Sequence, residues 1–93
     1  MSSMATPFAL GQRVRFNKRC VLASNVPKHS GSYQFTALVS QEGDAYTGDG
    51  VIEAGTQAVI VDYAVHGTGS TTNPVVRVNG RLARVHPKHL DPI

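Results

Sequence analysis

Tryptophan is absent, cysteine occurs once, and the 93 residues hold only five leucines, three lysines and two glutamates. The lone Cys20 excludes an intramolecular disulfide and a multi-cysteine zinc site. Small domains outside the cell are commonly stapled by disulfides, so a cytoplasmic location is expected. The sequence places no histidine beside Cys20, so a half-buried structural role is expected for it rather than a nucleophilic one. The shortage of leucine, glutamate and lysine removes the usual material of helices. No run approaches the ~18 continuous apolar residues that span a bilayer, so no membrane partner is expected. The opening MSSMATPFAL has no basic segment followed by an apolar one. It reads as a flexible tail over residues 1–9 that docks through Phe8 or Leu10, and not as a signal peptide. Catalytic patterns are missing as well: there is no Gly-rich phosphate loop, H-E-x-x-H, G-x-S-x-G or C-x-x-C. A domain this small also offers little concave volume for a substrate. The expectation is a non-enzymatic protein with no catalytic residue, no cofactor and no metal.

What is present is strand material. Twelve valines, seven threonines and three isoleucines stand beside nine glycines and five prolines. That composition predicts an all-β domain with many turns. The length allows one hydrophobic core, and an apolar fraction of 41% is enough to fill it.

The local patterns agree. Residues 12–17, QRVRFN, alternate, with Val14 and Phe16 on the core side and Arg13 and Arg15 outward. Residues 20–32 start apolar (Cys20, Val21, Leu22), and Pro27 and Gly31 then predict a loop. Residues 33–40, YQFTALVS, alternate again and predict a strand, and 41–50 read as an acidic turn-rich loop. Residues 56–66, TQAVIVDYAVH, form the longest apolar run and predict a central, strongly bent strand near 58–65. Residues 67–73 read as a loop. Residues 75–85, VVRV-NG-RLARV, carry the strongest short hairpin signal, because a type I′ turn needs positive φ at both central positions. The register follows: Val78 opposes Arg81, Arg77 opposes Leu82, Val76 opposes Ala83 and Val75 opposes Arg84. Val76, Val78, Ala83 and Val85 then share a core face, and Val75, Arg77, Leu82 and Arg84 share the other. A single turn and a tail that pairs back are expected over HPKHLDPI. In all, five to six short strands are expected in a small barrel.

The net charge is only +3, but it is laid out in blocks. Residues 1–41 carry five basic groups and no acid, residues 42–62 carry five acids and no Lys or Arg, and residues 63–93 carry four basic groups and Asp91. The blocks either pair across the fold and face water, or build a basic face from the two ends of the chain.

The order of motifs resembles SH3-like barrels of the KOW-type, Tudor-like and nitrile-hydratase-associated kind. Gly11, Val14 and Phe16 match the opening of the first strand in that pattern. Gly55, Ala58 and Ile60 match the second long strand, and Val85, Pro87, Leu90 and Ile93 match an ending that carries a 3₁₀ turn into the last strand. The resemblance covers roughly 10–17 and 54–93. It implies a single barrel over 10–93 with a long insertion, 18–53, at the first loop, containing its own hairpin of 33–40 with about 50–53. The basic-Gly cluster of ribosomal KOW motifs is missing, and the scattered Tyr and Phe form no discernible Tudor-like cage. The ending is also similar to that of the plasmid-type dihydrofolate reductases, but ARVHP lacks the Gln and Tyr expected to line their pore.

Such barrels host many functions, so the candidates are argued residue by residue. The first is a nucleic-acid or anion-binding surface of Arg13, Arg15, Arg77, Arg81 and Arg84, with Lys18, Arg19 and Lys88 nearby. Arginines grip phosphate through bidentate hydrogen bonds, and the same residues also serve as a solvated sheet face. The alternative is a protein–protein adaptor or inhibitor, of accessory-subunit or mobile-element type. It would use the 18–53 insertion as a contact arm with Glu42, Asp44, Tyr46 and Asp49 at its tip. His29, His66, His86 and His89 are read as exposed turn residues; a 3₁₀ turn would stack His86 and His89 on one side. The acidic loop lacks the alternating ligands of a calcium site and reads as a solvated turn. The sequence leaves the oligomeric state open.

Overall fold

A computed structural model of the chain describes residues 7–24, 34–40, 50–66 and 71–93. These residues form eight strands and no α-helix: β1 (Arg13–Phe16), β2 (Cys20–Ser24), β3 (Phe35–Val39), β4 (Val51–Ile52), β5 (Gln57–His66), β6 (Thr71–Val78), β7 (Arg81–Arg84) and β8 (Leu90–Pro92). They lie in one sheet of order β4-β2-β3-β7-β6-β5-β1-β8. All neighbours are antiparallel except β3 and β7, which run parallel.

One hydrophobic cluster draws on every strand: Val14 and Phe16, Cys20 and Leu22, Ala37, Ile52, Ala58 and Ile60, Val76 and Val78, Ala83, and Leu90. Eight flat strands at ~4.8 Å spacing could not bring their inner faces to one cluster, so the sheet curls into a half-barrel around it. A register shift between Ile60 and Asp62 in β5 supplies part of the bend, as an extra residue in one strand does. The long central strand expected near 58–65 is therefore β5, paired with β1 on one side and β6 on the other.

The β6–β7 hairpin has the expected register, residue for residue. Asn79 and Gly80 sit at φ 52° and 78°, the left-handed conformation that a two-residue turn of this kind needs. The ending also folds as read. Pro87–His89 form a 3₁₀ turn, and β8 then pairs back along β1, with Leu90 opposite Phe16. Phe8 docks into the core, while Leu10 stays exposed. The Tyr63 hydroxyl holds Phe8 by accepting its N–H at 3.0 Å and donating to its carbonyl at 2.7 Å.

The insertion differs from the expectation. Strands β3 and β4 do not pair with each other; both flank β2, which runs through residues read as the entry to a loop. Cys20 and Leu22 point into the core and need a strand to do so. The strand count rises from the expected five or six to eight for the same reason. Burial pushes the Cys20 thiol above its usual value, and its Sγ–H faces the Lys18 carbonyl at 3.6 Å. No helix of the described residues is long and apolar enough to cross a membrane.

Candidate functional site

Strand pairing decides which arginines meet. Arg13 of β1 opposes Val59 of β5, and Val59 opposes Arg77 of β6. Opposed residues share a face, so Arg13 and Arg77 stand on the outer surface about 10 Å apart, two strand spacings. Arg15 joins them two residues along β1, opposite Gln57 and next to Asp91 of β8. All three arginines are exposed, and none is held in an ion pair among the described residues.

The other predicted basic residues lie elsewhere. Arg81 opposes Val78, a core residue, and therefore leaves the sheet on the inner side. Its guanidinium lies over the Phe35 ring, 5.7 Å from the centroid, a cation–π contact that closes the end of the core. Arg19 is bound into the insertion: Nη1 donates to Ser40 Oγ at 2.6 Å, and Nε lies 3.6 Å from Glu53 Oε2. Lys18 and Lys88 are exposed beside the 3₁₀ turn, and Arg84 sits at the end of β7. Glu42, Asp44, Tyr46 and Asp49 fall outside the described residues, as does His29.

The 3₁₀ turn builds a second locus that the sequence reading did not assemble. His86 caps the turn, its Nδ1 accepting the Lys88 N–H at 3.2 Å. Its ring stacks near that of His89, with centroids 5.7 Å apart, as the three-residue spacing predicts. His86 is exposed, but His89 is buried, contrary to the reading of both as exposed. The turn packs against the β1–β2 connection, where the Asn17 N–H donates to the His89 carbonyl, and this carries the ring inward. Burial pulls the His89 pKa below its ordinary 6.5, helped by the positive charges of His86, Lys88 and Lys18.

His86 and His89 line a cleft of about 270 Å³ with Asn73, Arg84 and residues 36–39 of β3. It lies at the rim of the half-barrel, where β3 and β7 end. Asn73 is 5% exposed and His89 8%. Asn73 Oδ1 and His89 Nδ1 are buried with no hydrogen-bond partner among the described residues. Residues 73–76 are all buried, so this stretch of β6 is covered on both faces and alternation returns at Arg77. The continuous Pro74-Val75-Val76 run was the one sequence signal of this. Among the described residues no group of three or more His, Cys, Asp or Glu is placed to hold a metal ion. No protein-family description, curated protein or solved structure matches the chain.

Proposed function

We propose that the chain is an SH3-like barrel acting as a non-enzymatic binding module for nucleic acid, gripped through phosphates by the outward arginines of β1 and β6. The strand order supports the barrel assignment. In β8-β1-β5-β6-β7 the last strand returns through a 3₁₀ turn to lie beside the first, and β2, β3 and β4 extend the sheet past β7. The arginine row carries the functional reading: Arg13 and Arg77 face out across one row of the sheet, with Arg15 beside them. Exposed guanidinium groups at this spacing suit successive phosphates, and such contacts position a strand without reading its bases.

The test is oligonucleotide binding followed against salt, with the parent and an Arg13→Ala/Arg15→Ala/Arg77→Ala variant. Parental affinity is expected to fall steeply with salt, and the variant to lose most of it. Its log–log slope should drop by about 0.9 for each duplex phosphate contact removed. Equal affinity and slope in the two proteins would refute the reading. So would a cellular partner that is still recovered from native extract after nuclease treatment, which would favour the protein-adaptor alternative.

A further inference from the structure

Asn73 and His89 both line the rim cleft, and each is more than nine-tenths buried. Asn73 Oδ1 and His89 Nδ1 have no hydrogen-bond partner among the described residues. Buried polar atoms are nearly always satisfied, so an orphaned pair around one cavity points to a missing ligand or to ordered water. The chemistry of the pair limits that ligand. An amide oxygen only accepts, so the group opposite Asn73 Oδ1 must be a donor. A histidine nitrogen takes either role, because the ring hydrogen sits on Nδ1 or Nε2 to suit the partner. A metal ion fits poorly. The Lys88 N–H occupies the lone pair of His86 Nδ1, which places the hydrogen of a neutral His86 on Nε2 and leaves only two ligands.

Strand alternation joins the cleft to the arginine face. Val76 and Val78 point into the core, so Asn73, Val75 and Arg77 share the other side of β6. Asn73 lies about 13 Å along that strand from Arg77. On β3, Ala37 points into the core, so Leu38 stands on the outer side, opposite Val21 and 51% exposed. The wall nearest the arginines therefore offers one amide acceptor and one exposed apolar side chain. The volume, about 270 Å³, lies just under the ~300–1,000 Å³ of drug-sized sites, which suits a single flat ring.

We propose that the rim cleft takes one unstacked nucleobase that carries an amino group beside a ring nitrogen, as adenine does. The amino group donates to Asn73 Oδ1, the ring nitrogen accepts from His89 Nδ1–H, and the ring lies against Leu38. The inference rests on the nucleic-acid reading and adds base selection to a grip that otherwise reads only phosphate. Hypoxanthine is the discriminating competitor. It keeps the ring system of adenine but replaces the amino group by a carbonyl, which would set two acceptors against each other at Asn73 Oδ1.

Adenosine and inosine are the first probes, titrated into the full chain and followed by amide and imidazole NMR. Adenosine is expected to bind saturably and to shift the amides of 36–39, 73, 88 and 89 together with the His89 ring. Inosine should bind at least about tenfold more weakly, the usual penalty for one mismatched base contact. The second probe is a short single-stranded thymine oligonucleotide with one central adenine or hypoxanthine, and the adenine form should bind more tightly. Neither comparison needs a variant. Asn73→Val should abolish both preferences while the salt-dependent part of oligonucleotide affinity stays. Arg13→Ala/Arg15→Ala/Arg77→Ala should do the reverse, losing oligonucleotide affinity and keeping the adenosine shifts. Inosine binding as tightly as adenosine, or adenosine leaving the cleft amides unmoved, overturns the inference, and the second result assigns the cleft to water. Equal affinity for the two oligonucleotides also overturns it and leaves the phosphate grip standing. A parent chain that holds adenosine but neither oligonucleotide overturns the grip instead and assigns the cleft to a free nucleoside.

Discussion

The arginine row and the rim cleft place polar groups in opposite settings. Arg13, Arg15 and Arg77 stand in water on a pleated face, where a charge costs little to keep. At the cleft Asn73 Oδ1 and His89 Nδ1 are withdrawn from water with no partner among the described residues, which costs stability. An exposed row tolerates change and acts through the number of its charges. A buried cluster is specific and acts through the placement of individual atoms.

Four substitutions test that contrast. The largest effect is expected at the core that supports both regions. Phe16 is 1% exposed and sits between β8 and the connection to β5, so Phe16→Ala should cost about 3–5 kcal/mol, read from denaturant midpoints. A loss under about 1 kcal/mol would mean that the two regions do not share a core.

The sharper test is Asn73→Val. Replacing a buried side chain whose Oδ1 has no partner among the described residues by a β-branched apolar one should stabilise the chain by about 1 kcal/mol. Arg77→Ala, at an exposed position, should leave stability within about 0.5 kcal/mol. If Asn73→Val destabilises the chain as an ordinary loss of a hydrogen bond would, the amide is satisfied and the contrast between the regions disappears.

The smallest effect is in pH. His89 has a folded pKa below its ordinary 6.5, so the unfolded chain binds the proton more readily. Stability from this group is complete above pH 6.5 and declines as pH falls from there toward the folded pKa. The melting temperature should therefore drop with acidification through this window, and His89→Gln should flatten the profile. An unchanged profile would place His89 in contact with water.

The sequence carried the hairpin because Asn79-Gly80 dictates a tight turn, and period-two alternation then assigns every side chain to a face. The same register already assigned Arg81 to the inner side, opposite Val78, although its charge suggested the outer one. The return of β8 onto β1 was legible from Pro87 and the flanking Leu90. The insertion was not. Pairing of β3 with β7 is parallel, so no turn between them marks it, and it is short: Phe35 opposite Ala83, Thr36 opposite Arg84, and the Gln34 N–H donating to the Leu82 carbonyl. The cleft was hidden for a related reason. Asn73, Arg84 and His89 belong to three elements whose meeting depends on strand order and on the side to which the 3₁₀ turn packs. Arg84 was found by its charge, but Asn73 carried no signal beyond the apolar run that follows it.

The pairing of β1 with β8 sets a timetable for synthesis. Asn17 hydrogen-bonds Asp91 across 74 residues of chain, and β8 covers the flank of β1 that β5 leaves open. While the polypeptide is emerging from the ribosome, β1 can find β5 but not its other neighbour. Its outer edge stays unpaired until the 3₁₀ turn and β8 are released, and an unpaired edge is open to stray association. Arg13 and Arg15 lie on that strand. Charged side chains on an unpaired strand disfavour edge-to-edge association, so these two arginines suit β1 to the interval before β8 pairs with it.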